Sequence, residues 1–240
     1  MTQMIIEDIT QKTLNLMRSV FILLVLCSIL TSCNHDKAQT IEQPIQMAAP
    51  VTGDQIVTVK TNIGEFKFKL LPEVAPETVE AFKKVIDDQD LIGSPLEKSF
   101  QANLIKVVKE RDEAYYNQIF KPDYTVETDS ETRHYPGAVG LSMYQGELPS
   151  SSFYIITEGM VEDTYLESMK TLPELYPDEV VRYYKAYGGL PSLDGSYTIF
   201  GQMVEGMEIV ESIYAIEHDP YTLELKQTVT IEAIEYEVQE

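Results

Sequence analysis

The chain has 240 residues, room for about one domain plus tails, and carries 18 Lys and Arg against 39 Asp and Glu for a net charge of −21. Such an acidic balance argues against nucleic acid as a partner and against adhesion by charge to anionic lipid. Two cysteines, Cys27 and Cys33, lie in the first 33 residues, which leaves the remainder without a disulfide or thiol nucleophile. His35, His134 and His218 lie too far apart for metal-ligand spacing.

From Val20 to Leu30 the sequence reads VFILLVLCSIL, eleven apolar or small residues. A bilayer span needs about 20, so the run suits the apolar core of a signal peptide, with Arg18 as its positive flank. The stretch LTSC, Leu30 to Cys33, resembles the bacterial lipobox, whose cysteine is lipidated and becomes the new N-terminus. That resemblance implies a lipoprotein signal over residues 1–33, lipidation at Cys33, and an extracytoplasmic position anchored to the cell membrane. Glu7 and Asp8 do not suit a positive leader, and Met17-Arg18 makes a better start. Residues 34–54 are polar and aperiodic and read as a flexible tether to a domain over 55–240.

Ile56 to Thr61 alternates as IVTVKT, Asn62-Ile63-Gly64 turns the chain, and Glu65 to Leu70 alternates as EFKFKL, which predicts a β-hairpin. The next helix is predicted over Pro76–Ile86, with Pro76 at the first position and Glu77 in the first turn. Val79, Phe82, Val85 and Ile86 form its apolar, core-facing stripe. The polar, acidic stretch 114–135 reads as a long loop. PGAVGLSM and SSSFYII, ending at Met143 and Ile156, predict two buried strands. The serine triplet lacks the G-x-S-x-G surroundings of a hydrolase elbow.

Residues 157–189 look like an insertion with helices at Glu162–Leu172 and Pro177–Tyr187. Val180, Tyr183, Tyr184 and Tyr187 give the second helix an aromatic face, read as docked on the domain, with a partner surface as the alternative. Pro191 and Asp194-Gly195 mark a tight turn. A strand from Tyr197 to Met203 is interrupted by Gly201, where it bends or another backbone comes close. After Gly206 a short helix puts Met207, Val210 and Ile213 inward. Thr228 to Val238 is a final strand whose alternation changes phase near Ala233, as at a bulge.

LPEVAPETVEAF, Leu71 to Phe82, and the set Leu193, Asp194, Gly195, Phe200, Gly201, Gly206, Met207, Val210 and Ile213 resemble the cyclophilin-type peptidyl-prolyl cis-trans isomerases. The resemblance implies a mainly β fold: a closed antiparallel eight-stranded β-barrel with capping helices, here carrying a helical insertion. It implies a monomer that needs no cofactor or metal and takes proline-containing polypeptides. Laid on the family pattern without gaps, Phe100 keeps its place, Ala102 falls at the catalytic arginine and Glu110 at a glutamine. Val107 and Val108 replace a pocket Phe and Met, Ser152 a second glutamine, and Tyr154 an aromatic. Ser192 stands for a tryptophan, Leu193 keeps a leucine, Tyr197 replaces a histidine, and Ser142 and Met143 fall at a peptide-contact pair. Phe100, Val107, Val108, Ser152, Tyr154, Leu193 and Tyr197 are therefore the expected lining of a peptide groove. Lys98 and Lys106 share the face of Ala102, each four residues away, about 13 Å on one continuous strand. The expected function is binding of proline-containing segments of exported polypeptides, with catalysis weak or lost. The alternatives are an active foldase for secreted proteins and a structural envelope lipoprotein.

Overall fold

β1 (Gln55–Thr61) and β2 (Gly64–Leu70) pair as the hairpin their alternation predicts, Val57 opposite Phe68 and Val59 opposite Phe66. All four side chains point into the core and are fully buried. The structure is a computed structural model that describes residues 43–99, 102–109, 113–121, 123–144, 148–217 and 226–240.

The remaining strands are β3 (Pro95–Lys98), β4 (Leu104–Val107), β5 (Ala138–Tyr144), β6 (Leu148–Ile156), β7 (Ile199–Glu205) and β8 (Val229–Val238). They close into an antiparallel barrel in the order β1-β2-β7-β5-β6-β4-β3-β8, which leaves no strand edge free for pairing. Four rings, Phe68, Phe82, Phe153 and Phe200, meet in its core, with Phe82 and Phe200 centroids 4.8 Å apart. Gly201 admits the close approach its place in β7 suggests: a Cβ there would lie 2.9 Å from Phe68 Cδ2. The phase change in β8 is a bulge. Lys60 opposes Ala233 but Thr61 opposes Ile231, so Glu232 is the extra residue.

Helix α1 (Pro76–Asp87) packs Val79, Phe82, Val85 and Ile86 onto the barrel core. Its first backbone amides are capped from a distance, since Glu127 accepts from Glu77 N at 2.9 Å and from Thr78 N at 2.8 Å. Helix α2 (Glu113–Ile119) occupies the start of the stretch predicted as loop, all but its first residue falling there. That expectation weighed the polar composition, but Tyr116, Ile119 and Phe120 recur at helical spacing and are buried. Within residues 157–189, α3 (Asp163–Met169) and α4 (Asp178–Tyr187) pack through Leu166, Met169, Val181 and Tyr184 against Tyr135. The Tyr135 and Tyr184 rings stand 4.7 Å apart, so the aromatic face of α4 is docked. Helix α5 (Met207–Ala215) buries Val210 and Ile213 and packs on β2, β3 and β4.

Part of the predicted tether is also docked. Gln46 is buried, donates to Arg133 O at 2.9 Å and Gln202 Oε1 at 2.8 Å, and accepts from Arg133 N. Lys69 Nζ adds a bond to Ala48 O at 3.0 Å. A glutamine that pairs a backbone N–H and C=O in the manner of a strand fixes this segment, which composition alone cannot reveal. No helix among the described residues is long and apolar enough to cross a membrane. The signal, the start at Met17 and Cys33 lie outside the described residues.

Candidate functional site

An apolar cluster separate from the barrel interior gathers Leu71, Ala138, Tyr154, Ile156 and Ile199, with Leu104, Leu190, Leu193 and Tyr197 packed against it. Leu104, Leu193 and Tyr197 are half-buried and present apolar surface outward. Of the expected groove residues, the fold thus brings Tyr154, Leu193 and Tyr197 together. The Tyr154 and Tyr197 rings meet edge to face at 6.4 Å.

The β3–β4 hairpin redistributes the rest. Its strands are short, and residues 99–103 connect them, so Ala102 sits in a turn where its carbonyl accepts Leu104 N at 2.8 Å. The two-residue period then sends Ile105 and Val107 into the barrel core and Leu104 and Lys106 outward. Val107 is therefore in the barrel core, and Leu104, which the gapless overlay left out, packs against the outer apolar cluster. Val108 is half-buried beyond the strand end, its N–H bonded to Pro95 O at 2.9 Å. Ser152 is buried, its hydroxyl 2.6 Å from that of Ser150. Ser142 and Met143 are half-buried. Phe100 and Glu110 lie outside the described residues.

The same turn changes the two lysines. Lys98 Nζ sits 5.4 Å over the Tyr214 ring of α5. Lys106 is exposed and stands directly opposite Tyr154 in the β4–β6 ladder. Residues so paired share a face, with Cβ atoms about 4.5–5.5 Å apart. The chain turns between Lys98 and Leu104, so the two lysines do not lie on one continuous strand. The described arginines are elsewhere: Arg133 donates to the carbonyls of Asp129, Thr132 and Leu175, and Arg182 is exposed on α4.

Tyr154 is anchored from behind. Its ring lies over Gly140, where a Cβ would collide with it. Its hydroxyl is 2.8 Å from His134 Nε2, and His134 Nδ1 is 2.9 Å from Asp194 Oδ1. A carboxylate only accepts, so Nδ1 carries the hydrogen, and in the neutral imidazole Nε2 accepts from the tyrosine. Asp194 also accepts from His134 N at 3.0 Å and from the Tyr184 hydroxyl at 2.7 Å, and Arg133 Nε lies 3.8 Å away. The side chains of His134 and Asp194 are each 1% exposed. Burial, with neighbouring Tyr197 and Asp194, pushes the Tyr154 hydroxyl well above the usual tyrosine range. Burial and then Asp194 do the same to Tyr184. Sequence reading assigned His134 no role, since nothing in the spacing of His134, Tyr154 and Asp194 foretells their meeting. The described residues include no group of three or more metal-ligating side chains.

Residues 56–236 match the family described as cyclophilin type peptidyl-prolyl cis-trans isomerase/CLD. A Staphylococcus saprophyticus protein described as a candidate peptidyl-prolyl cis-trans isomerase is 26% identical over 196 residues, covering 79% of this chain and 96% of its own. A Staphylococcus aureus relative so described is 26% identical over 190 residues, with 77% and 93% covered. In fold, the chain resembles the crystal structure of a Cryptosporidium parvum cyclophilin type peptidyl-prolyl cis-trans isomerase, with TM-score 0.53, 16% identity, and 78% of this chain and 99% of that one covered. A second structure of that protein, in the presence of the dipeptide Ala-Pro, gives a TM-score of 0.51 at 16% identity, covering 77% of this chain and 98% of that one.

Proposed function

The chain belongs to the cyclophilin-type peptidyl-prolyl cis-trans isomerase family, and we propose that it binds proline-containing segments of exported polypeptides, with weak or no turnover. The observation that carries this reading is an apolar cluster in which half-buried Leu104, Leu193 and Tyr197 pack over the buried Tyr154, with no described guanidinium beside it. Rotating an X–Pro bond removes amide resonance against a barrier near 20 kcal/mol. An apolar wall that receives the proline ring gives affinity. A fixed donor to the prolyl nitrogen gives rate, typically about 3–4 kcal/mol for one preorganised group. This chain keeps the wall and has no donor at Ala102. The Ala-Pro dipeptide named with the Cryptosporidium parvum structure supports the ligand class.

One observation favours a second reading, an isomerase that turns over: Lys106 sets an exposed ammonium across the ladder from Tyr154. A lysine donates as a mobile point charge rather than as a fixed fork, and should serve this step less well than arginine. Measuring Kd for a proline peptide together with kcat/KM for its cis-to-trans isomerisation separates the readings. Binding with kcat/KM at least about 10²-fold below an arginine-bearing relative supports the binding module. Turnover near that relative's supports the enzyme, and no binding sinks both. The site of action we propose is the outer face of a membrane, through a lipid on Cys33, on the support of LTSC at residues 30–33.

A further inference from the structure

A second concavity adjoins the first. Between α3 and the 3-10 turn at Pro191–Leu193 lies a cavity of about 360 Å³, lined by Met160, Tyr165, Leu190, Pro191 and Ser192. This is the size of a small ligand site. It is mainly apolar, and its rim stays unpaired: Met160 is 93% exposed and Tyr165 38%. Its far wall is held by backbone bonds, Gly189 N to Gly159 O at 2.9 Å and Leu190 N to His134 O at 2.9 Å, and by the Tyr176 hydroxyl on Pro191 O at 2.9 Å. That wall is therefore set before anything binds.

We propose that this cavity is a subsite for the same bound polypeptide, taking one large apolar side chain that flanks the proline. The proposal rests on the proline-groove reading and extends it. Continuity is the argument for this occupant. Leu190 packs on the cluster of Tyr154, Leu193 and Tyr197 and also lines the cavity. Ser192 lines the cavity one residue before Leu193. An extended peptide advances about 3.3 Å per residue, so a chain seated on Leu193 offers its neighbouring side chains to the cavity. A second copy of this chain fits poorly, because a stable protein interface buries roughly 800 Å² per partner, far more than one side-chain cavity offers. Glu162 on the lining and the net charge of −21 disfavour acidic segments. The helical insertion thus confers sequence preference on a site whose proline wall belongs to the barrel.

The test is a labelled peptide with an Ala-Pro core flanked by glycine and serine, and a set in which one phenylalanine replaces each flanking residue in turn. Binding is read by anisotropy on the full-length chain. Phenylalanine at one or two positions should tighten binding by at least about tenfold. The double variant Met160→Asp with Tyr165→Ser should abolish that gain and leave the glycine-serine peptide unaffected. Both changes are at exposed positions, where substitutions rarely disturb folding. If no phenylalanine position tightens binding, or if the gain survives the double variant, the subsite is overturned while the proline groove stands. If the whole set fails to bind, the proline-groove reading falls and the subsite with it.

Discussion

The Tyr154 hydroxyl meets His134 Nε2 at 2.8 Å, while the ring it belongs to packs in the cluster with Leu104, Leu193 and Tyr197. One side chain thereby joins an apolar wall to a buried polar chain that runs through Asp194 to Tyr184 on α4. Tyr154→Phe keeps the ring and strands a buried imidazole nitrogen, at a cost of about 1–3 kcal/mol. For a domain of this size that is roughly 2–4 °C in Tm per kcal/mol. Peptide affinity should barely change. Tyr154→Ala should lose the binding as well. A thermal melt and a peptide titration of both variants check this, and an unchanged melt for Tyr154→Phe would show that the hydrogen bond adds nothing.

Glu127 caps α1 across the fold and also accepts from Thr78 Oγ1 at 2.6 Å. Glu127→Ala removes a charged acceptor from two helix-terminal amides and should cost about 1–2 kcal/mol. Glu127→Gln should recover part of it. Denaturant midpoints at equal slope are the measurement.

Burial, with Asp194 next in weight, pushes the Tyr176 hydroxyl up to about 12, against about 10 in an unfolded chain. The folded state therefore holds this proton more tightly. The resulting stability is fully present below about pH 10 and is lost as pH rises from there through about 12. Tyr154 and Tyr184 act in the same direction. Tyr176→Phe should flatten the alkaline decline of stability between pH 10 and 12, at the expense of the bond to Pro191 O. Unfolding titrations over that window decide it; an unaltered slope would count against the assignment.

Any residual isomerisation should depend on Lys106. Lys106→Ala should abolish it with Kd for peptide nearly unchanged, and Lys106→Arg should raise kcat, because a planar fork donates with less loss of freedom. Equal kcat in all three proteins would remove Lys106 from the chemistry.

Cys33→Ser should leave an unprocessed precursor or release the chain from the membrane fraction. Labelled fatty acid incorporated into the Cys33→Ser protein would refute lipidation at that residue.

The barrel was legible because its cues are local. Alternation in IVTVKT and EFKFKL, Pro76 before an apolar stripe, and Gly206 before Met207 and Val210 each fix an element within a few residues. Of the residues expected to line a groove, Tyr154, Leu193 and Tyr197 follow such elements and meet in one apolar cluster. The placement of Ala102 and Val107 was obscured, because a two-residue period gives the right face only once the strand ends are known. The apolar run around Leu104 does not say that the chain turns between Lys98 and Leu104.

The sequence by itself determined a strand-rich domain, its two flanking helices and two further helices within residues 157–189, since these depend on backbone preference and side-chain period over short spans. Tertiary structure alone decided that Lys106 stands opposite Tyr154 in the β4–β6 ladder, that Gln46 pins the expected tether, and that Asp194, His134 and Tyr154 form one chain. Barrel closure sets β4 beside β6, and the loops around it bring residues 20 and 60 positions apart within hydrogen-bond reach. A polar group buried at such a meeting point must find its partner there or pay the full cost of desolvation, and no local pattern in the chain records which partner that is.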